Sequence, residues 1–343
     1  MKAMVLRGIR DLMAVDRPLE LTDMDIPAPA GNELLLKITA NGVCHTELDE
    51  IEGRTPPSRF PMVLGHQVVG RIVSKGPDTT RHAEGTRVGV AWIYDSCGIC
   101  QWCSAGLENL CPDFRATGRD AFGGYAEFMV VPEESVYPIP DIFTDIEAAP
   151  LLCAGAIGYR SLRLAEIRDG QTLGLTGFGA SAHLVLKMVH QRYPSTRVFV
   201  FARSPEEREF ARELGAVWAG DTTDETPEKL HAIIDTTPVW KPVVEALKNI
   251  HPSGRLVINA IRKEEHDKEQ LLRLDYPRDL WMEKEIKSVA NVTRSDVSEF
   301  LELAAEIPIK PHTETFALED ANTALMELKQ RKIRGAKVLV MRD

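Results

Sequence analysis

The chain has 343 residues, 44% of them hydrophobic and 27% charged, which is enough for two soluble domains with a core each. A formal net charge of −10 argues against a nucleic-acid partner, because phosphate backbones are met by clustered Lys and Arg. The first ten residues carry Lys2, Arg7 and Arg10 and no long apolar run, so neither a signal peptide nor a membrane span is expected, and the cytoplasm is the expected compartment.

In chain order, short β-segments are predicted at 2–6, 33–40, 68–75, 87–91 and 126–131. They are punctuated by Pro27, Pro29, Gly31, Pro56, Pro57, Pro61, Gly76 and Pro77, so the first 150 or so residues read as a β-rich, loop-heavy domain. Within it stands Cys97-Gly98-Ile99-Cys100-Gln101-Trp102-Cys103, closed by Cys111. Four thiolates at that spacing suit one tetrahedral Zn²⁺ with no open position, a site that staples a loop and does no chemistry. Four unrelated buried cysteines are the competing reading, a poor one in a chain with only six. If all six serve metals, none is left for a disulfide, which fits a reducing compartment.

After about Cys153 the texture changes. Strand-like 171–176, 197–202, 232–235 and 255–260 alternate with helix-like 180–191, 205–214 and 241–250, which predicts a parallel sheet with helices on both faces. The first of these strands runs into Gly177-Phe178-Gly179-Ala180-Ser181-Ala182, a G-x-G-x-x-A turn opening a helix. Gly177 suits the tight turn, Gly179 the approach of a pyrophosphate, and Ala182 the packing of helix on strand. The second strand ends in Ala202-Arg203-Ser204, with no carboxylate before Glu206. An NAD site usually has an acid there for the ribose hydroxyls. Arg203 and Ser204 suit a 2′-phosphate instead, so NADP(H) is favoured and NAD is the alternative. The tail carries helices at 296–305 and 321–330 and strands near 312–316 and 336–340, and is expected to rejoin the first domain. The expected division is 1–152 with 293–343 against 153–292.

Cys44, His66 and Cys153 remain. Three N/S ligands from distant segments, leaving a fourth position for water or substrate, are the pattern of a catalytic zinc. Taken alone, His66 reads more readily as a satisfied core histidine than as a ligand.

The constellation resembles the zinc-dependent alcohol dehydrogenases of the medium-chain dehydrogenase/reductase superfamily. The resemblance is carried by Gly42-Val43-Cys44-His45-Thr46-Glu47, Gly65-His66-Gln67, the four-cysteine loop, Phe122-Gly123-Gly124-Tyr125-Ala126-Glu127, Cys153-Ala154-Gly155 and the glycine turn, in family order over essentially the whole chain. It implies an α/β chain made of a GroES-like β-rich catalytic domain and a Rossmann doubly wound parallel-sheet domain, with two zincs per chain and a dimer or tetramer. It assigns Cys44, His66 and Cys153 to the catalytic zinc and Cys97, Cys100, Cys103 and Cys111 to the structural one. Thr46 takes the substrate proton, His45 approaches the pyrophosphate, Glu47 orients His66, and Trp92 walls the substrate pocket. Thr236, Asn259 and Ala290-Asn291 line the cofactor site. The implied reaction passes hydride between an alcohol and a nicotinamide, giving an aldehyde or ketone.

Four positions depart from that pattern. Gln67 stands where a glutamate is usual, and Ile157 where a threonine often packs on nicotinamide. Asp49 stands where many relatives place an outer histidine of the proton relay, and the resemblance leaves Asp49 or His45 to pass the Thr46 proton on. Ala336 replaces an arginine used on the pyrophosphate, leaving Arg334 or Lys337 as candidates for that role. Rival readings are a non-catalytic zinc-stapled NADPH sensor and a reductase of conjugated C=C bonds. The latter generally lacks the zinc ligands. A medium-sized apolar alcohol or aldehyde is the expected substrate class.

Overall fold

The eleven-residue strand Glu33–Val43 is the spine of the β-rich part. Its sequence, Glu-Leu-Leu-Leu-Lys-Ile-Thr-Ala-Asn-Gly-Val, is buried at eight of its eleven positions, and neighbouring strands pair with it on both edges. Val68–Lys75, Phe128–Pro132 and Ala336–Val340 all pair with it antiparallel, the last against residues 40–43. The tail of the chain thus sits beside Gly42 and Val43, immediately before Cys44.

The structure, a computed structural model, describes residues 1–330, 332 and 334–341. It forms two units, Met1–Ala156 with Val292–Asp343, and Ile157–Asn291. In the first, the described strands make a seven-stranded sheet, a three-stranded sheet and a two-stranded ribbon. One core cluster joins Val43, Leu48, Ile51, Tyr125, Leu325 and Leu339, so the short helix His45–Ile51 is clamped between the strand before it and the tail helix Ala321–Lys329. That short helix is absent from the sequence reading, since it has seven residues and a cysteine rather than Ser, Thr, Asp or Asn at its N-cap.

The second unit is a six-stranded, wholly parallel sheet in the order Trp218–Gly220, Arg197–Phe201, Thr172–Thr176, Leu230–Asp235, Ile250–Ile258, Glu285–Ser288. In chain order this is 3-2-1-4-5-6, the doubly wound arrangement. Its central strand Thr172–Thr176 is buried at every position, as a strand covered on both faces requires. Two differences from the sequence reading have local causes. The strand expected at 255–260 begins at Ile250, because His251-Pro252-Ser253-Gly254 carries no strand signal. The edge strand Glu285–Ser288 goes unpredicted, being short and largely exposed. Among the described residues no helix is long and apolar enough to cross a membrane.

Lys337, in the strand Ala336–Val340, is 1% exposed, with its ammonium 2.6 Å from both Glu314 and Glu327 and 4.7 Å from the Phe316 ring centre. Replacing both glutamates by glutamine strands that ammonium without its counter-charges, and is expected to lower stability by about 3 kcal/mol. Urea unfolding followed by tryptophan fluorescence checks this; an unchanged midpoint contradicts it.

Candidate active site

Cys44 caps the helix His45–Ile51 with extended backbone angles. Three residues on, Glu47 turns back, and its Oε2 accepts the Cys44 amide at 2.7 Å. The other oxygen lies 2.7 Å from His66 Nδ1, with both side chains essentially buried. One carboxylate therefore fixes the backbone of one candidate ligand and the ring of another. His66 follows Gly65, whose φ of +96° and whose contacts leave no room for a side chain: a Cβ there would lie 2.1 Å from Asn41 Nδ2 and 2.4 Å from the Tyr125 ring. The Trp92 ring stands edge-on to His66, centroids 5.0 Å apart.

Cys153 comes from a π-helical turn, Leu151–Gly155, a local irregularity of the kind found at functional positions. Its Sγ is 3.2 Å from His66 Nε2 and 4.0 Å from Cys44 Sγ, and the three ligand atoms all lie within 4.8 Å of one another. Tetrahedral zinc with S and N ligands needs separations of roughly 3.4–3.8 Å, so the donor set and its spacing fit one ion. The electrostatics agree. The Cys153 hydrogen bond, with His66, holds the Cys44 thiol well below the ordinary value despite burial. Burial alone would lower His66, but Glu47 and Cys44 raise it well above the usual range. Cys153 is pushed well up by its bond to Cys44 and by burial. Thr46 Oγ1 is 3.5 Å from Cys44 Sγ.

The second cluster, Cys97, Cys100, Cys103 and Cys111, also brings its sulfurs within 4.8 Å of one another. Cys97 Sγ is 3.5 Å from Cys111 Sγ and 4.0 Å from Cys103 Sγ. Backbone N–H groups of Ile99 and Cys100 pull the Cys97 thiol down to about 7, which favours the thiolate that a metal needs.

In the other unit, Gly177 turns the chain out of Thr172–Thr176 with φ +75°, and its amide donates to Phe201 O at 2.8 Å. A Cβ on it would lie 3.0 Å from Thr236 Oγ1. Gly179 caps the helix Ala180–Arg192 and faces open space, with nothing within 4 Å of where a Cβ would stand. The free amides of that helix N-terminus, Ala180 and Ser181 included, are what a pyrophosphate takes. Ser181 Oγ accepts Asn259 Nδ2 at 3.3 Å. The Phe178 side chain is not available to a cofactor: it is buried against Phe210, centroids 5.5 Å apart, so only its backbone remains. Arg203 is exposed beyond Arg197–Phe201. Ser204 caps the helix Pro205–Glu213 by accepting the Glu207 amide at 3.2 Å, and its hydroxyl donates to Glu206. Asn291 adopts φ +59°.

The alcohol dehydrogenase GroES-like domain family matches residues 30–141. A Mycobacterium tuberculosis protein described as "Probable alcohol dehydrogenase AdhA" is 40% identical over 94% of this chain and 93% of its own. An alcohol dehydrogenase of Geobacillus stearothermophilus is 30% identical over 95% and 97%. Among solved structures, a cinnamyl alcohol dehydrogenase of Sorghum bicolor is 25% identical, with a TM-score of 0.82 over 99% of this chain and 97% of that one. The chain belongs to the zinc-type medium-chain alcohol dehydrogenases. It is an oxidoreductase.

Against that family pattern, this dehydrogenase handles its departures in particular ways. Asp49 is 2% exposed, and its Oδ1 is 2.5 Å from Arg54 Nε. Burial raises its carboxyl, with His45 and Arg54 opposing. Gln67 folds its side chain over Gly42, where a Cβ would lie 2.7 Å from Oε1. Lys337 is sequestered between Glu314 and Glu327, so it is not free to serve a pyrophosphate in place of the missing arginine. Arg334 is engaged within the protein. Sequence reasoning missed Glu50, fully buried with neither carboxyl oxygen hydrogen-bonded, and the Arg54 partner of Asp49. The three-residue spacing from Glu47 puts Glu50 on the same helix face, the one signal that could have found it.

Gly65→Ala forces a side chain into Asn41 and Tyr125 and displaces His66. The variant is expected to keep the metal of the four-cysteine loop and to lose the other, as read by metal analysis of the purified protein. Full retention of both ions contradicts the placement of His66.

Proposed function

We propose that this dehydrogenase interconverts small alcohols with aldehydes or ketones, using NADP(H) in preference to NAD(H) and two zinc ions per chain. The observation that supports it most is the buried cluster of Cys44, His66 and Cys153, three donors spaced for one ion. When bound, zinc supplies a Lewis acid for the substrate oxygen, and the dinucleotide supplies or accepts hydride. Everything else falls to the chain's own residues. Cys44, His66 and Cys153 hold the metal, while Glu47 keeps the His66 ring and the Cys44 backbone in place. Thr46 Oγ1 receives the substrate proton. His45 is the better next carrier, since its buried Nε2 has no hydrogen-bond partner whereas Asp49 is pinned by Arg54. Trp92, edge-on to His66, walls the pocket on the side of an apolar substrate.

The preference for NADP(H) rests on the exposed Arg203 at the end of the second strand, with no acid before Glu206. Family members form dimers or tetramers by resemblance, and self-association is supported here by the edge strand Glu285–Ser288. Its Ile286 is exposed, as are Tyr276, Trp281 and Met282.

A screen of alcohols and aldehydes at 340 nm with both cofactors tests the activity. Cys153→Ala is expected to remain folded, to lose one of two zincs and to lose turnover; unchanged activity removes the assignment. Arg203→Asp is expected to move the ratio of kcat/KM values from NADPH toward NADH by about tenfold, and no shift counts against the cofactor preference. Light scattering is expected to show a particle heavier than the 38.2 kDa chain, and a monomer contradicts self-association.

A further inference from the structure

Two loops of the nucleotide unit, 236–240 and 259–267, are clasped together at the carboxyl ends of the fourth and fifth strands, and one buried lysine makes the clasp. Asp235 ends the strand Leu230–Asp235 and is 0% exposed. Its Oδ1 accepts the hydroxyls of Thr176 at 2.5 Å and Thr237 at 2.8 Å, together with the Thr237 amide at 3.3 Å. Its Oδ2 takes the ammonium of Lys263, whose side chain is 7% exposed. The same ammonium donates to Thr237 O at 2.6 Å and Val239 O at 3.1 Å, so each of its three protons has an acceptor. Two further links run the same way. The Glu264 amide donates to Pro238 O at 2.7 Å, and the Asp267 carboxylate accepts the amides of Trp240 and Lys241, each at 2.9 Å.

Both clasped loops touch the glycine turn. Thr236 stands against Gly177, leaving 3.0 Å for a Cβ that glycine lacks, and Asn259 donates to Ser181. These contacts lie where the strand order reverses, the place a doubly wound sheet offers a dinucleotide. With all its protons taken by protein oxygens, Lys263 has none left for a phosphate, so its effect is indirect. We propose that Lys263 is a positioning residue for the dinucleotide: by tying Asp235 to the carbonyls of Thr237 and Val239, it holds Thr236 and Asn259 in register with the Gly177–Ser181 turn. This rests on the dinucleotide reading above. A buried ion pair stripped of one partner leaves an uncompensated charge, whereas loss of both charges is far better tolerated. The pair therefore carries its own internal control.

The test is titration of NADPH and NADH into the full-length metal-loaded enzyme, followed by nicotinamide fluorescence, for wild type, Lys263→Met, and Lys263→Met with Asp235→Asn. Lys263→Met is expected to raise the dissociation constant about tenfold, and the double variant, which removes the stranded charge but not the lost tie, to keep most of that loss. The KM for alcohol at saturating dinucleotide should stay within about twofold, a split that a general loss of folding would not produce. Should Lys263→Met fail to fold, the double variant decides in its place, its dissociation constant expected to rise about tenfold over wild type. A folded Lys263→Met or double variant that binds as tightly as wild type overturns the proposal. Wild type that binds neither dinucleotide overturns the cofactor reading along with it.

Discussion

A single buried carboxylate ties the candidate metal centre together. Glu47 accepts the Cys44 amide with one oxygen and meets the His66 ring with the other, each at 2.7 Å. The two ligands lie 22 positions apart in the chain, on a helix cap and after a glycine turn, and neither element alone determines where its donor atom goes. The same carboxylate stands 2.7 Å from Nδ1, which leaves Nε2, 3.2 Å from Cys153 Sγ, as the ring nitrogen for a metal. In that sense Glu47 sets the chemistry of the site before any ion enters it.

The fold serves this arrangement from several directions. The strand Glu33–Val43 delivers Cys44 from a sheet paired on both edges, and the tail strand Ala336–Val340 closes on its last residues. Gly65 lets the chain pass close to Asn41 and Tyr125, and Gly155 lets the Cys153 turn approach Phe300, where a Cβ would meet Cε1 at 2.2 Å. Both glycines are demanded by close packing, so the centre is rigid because its neighbours leave no slack. In the other unit the rigidity is polar: Lys263 and Asp235 hold loops whose backbone groups would otherwise be free to rearrange.

What could be read in the sequence follows from how local each signal is. The four cysteines within fifteen residues and the Gly177–Ala182 turn are short-range patterns, and both reappear as compact local geometry. The parallel sheet was legible because strands rich in apolar residues, as at Val198-Phe199-Val200-Phe201, alternate with helix-like segments. The edge strands and the helix His45–Ile51 were not, being short and lacking cap or periodicity signals. Convergence of Cys44, His66 and Cys153 could be drawn only from resemblance, since no spacing rule joins residues so far apart. The partners that decide function most finely were invisible for the same reason. Arg54 on Asp49, Glu314 and Glu327 on Lys337, and Lys263 on Asp235 are tertiary choices, each made by a residue that in the sequence is one more charge. Phe178 sits inside the glycine motif with its side chain in the core, which leaves its backbone to a cofactor.

The chemistry proposed for this site requires one cation among two sulfurs and an imidazole held by Glu47. An anomalous difference map from crystals of the purified enzyme, recorded on both sides of the zinc absorption edge, addresses this directly. The prediction is two peaks per chain, one within the four-cysteine loop and one bonded to Cys44 Sγ, Cys153 Sγ and His66 Nε2. A single peak in the four-cysteine loop, with those three side chains bare, would contradict it.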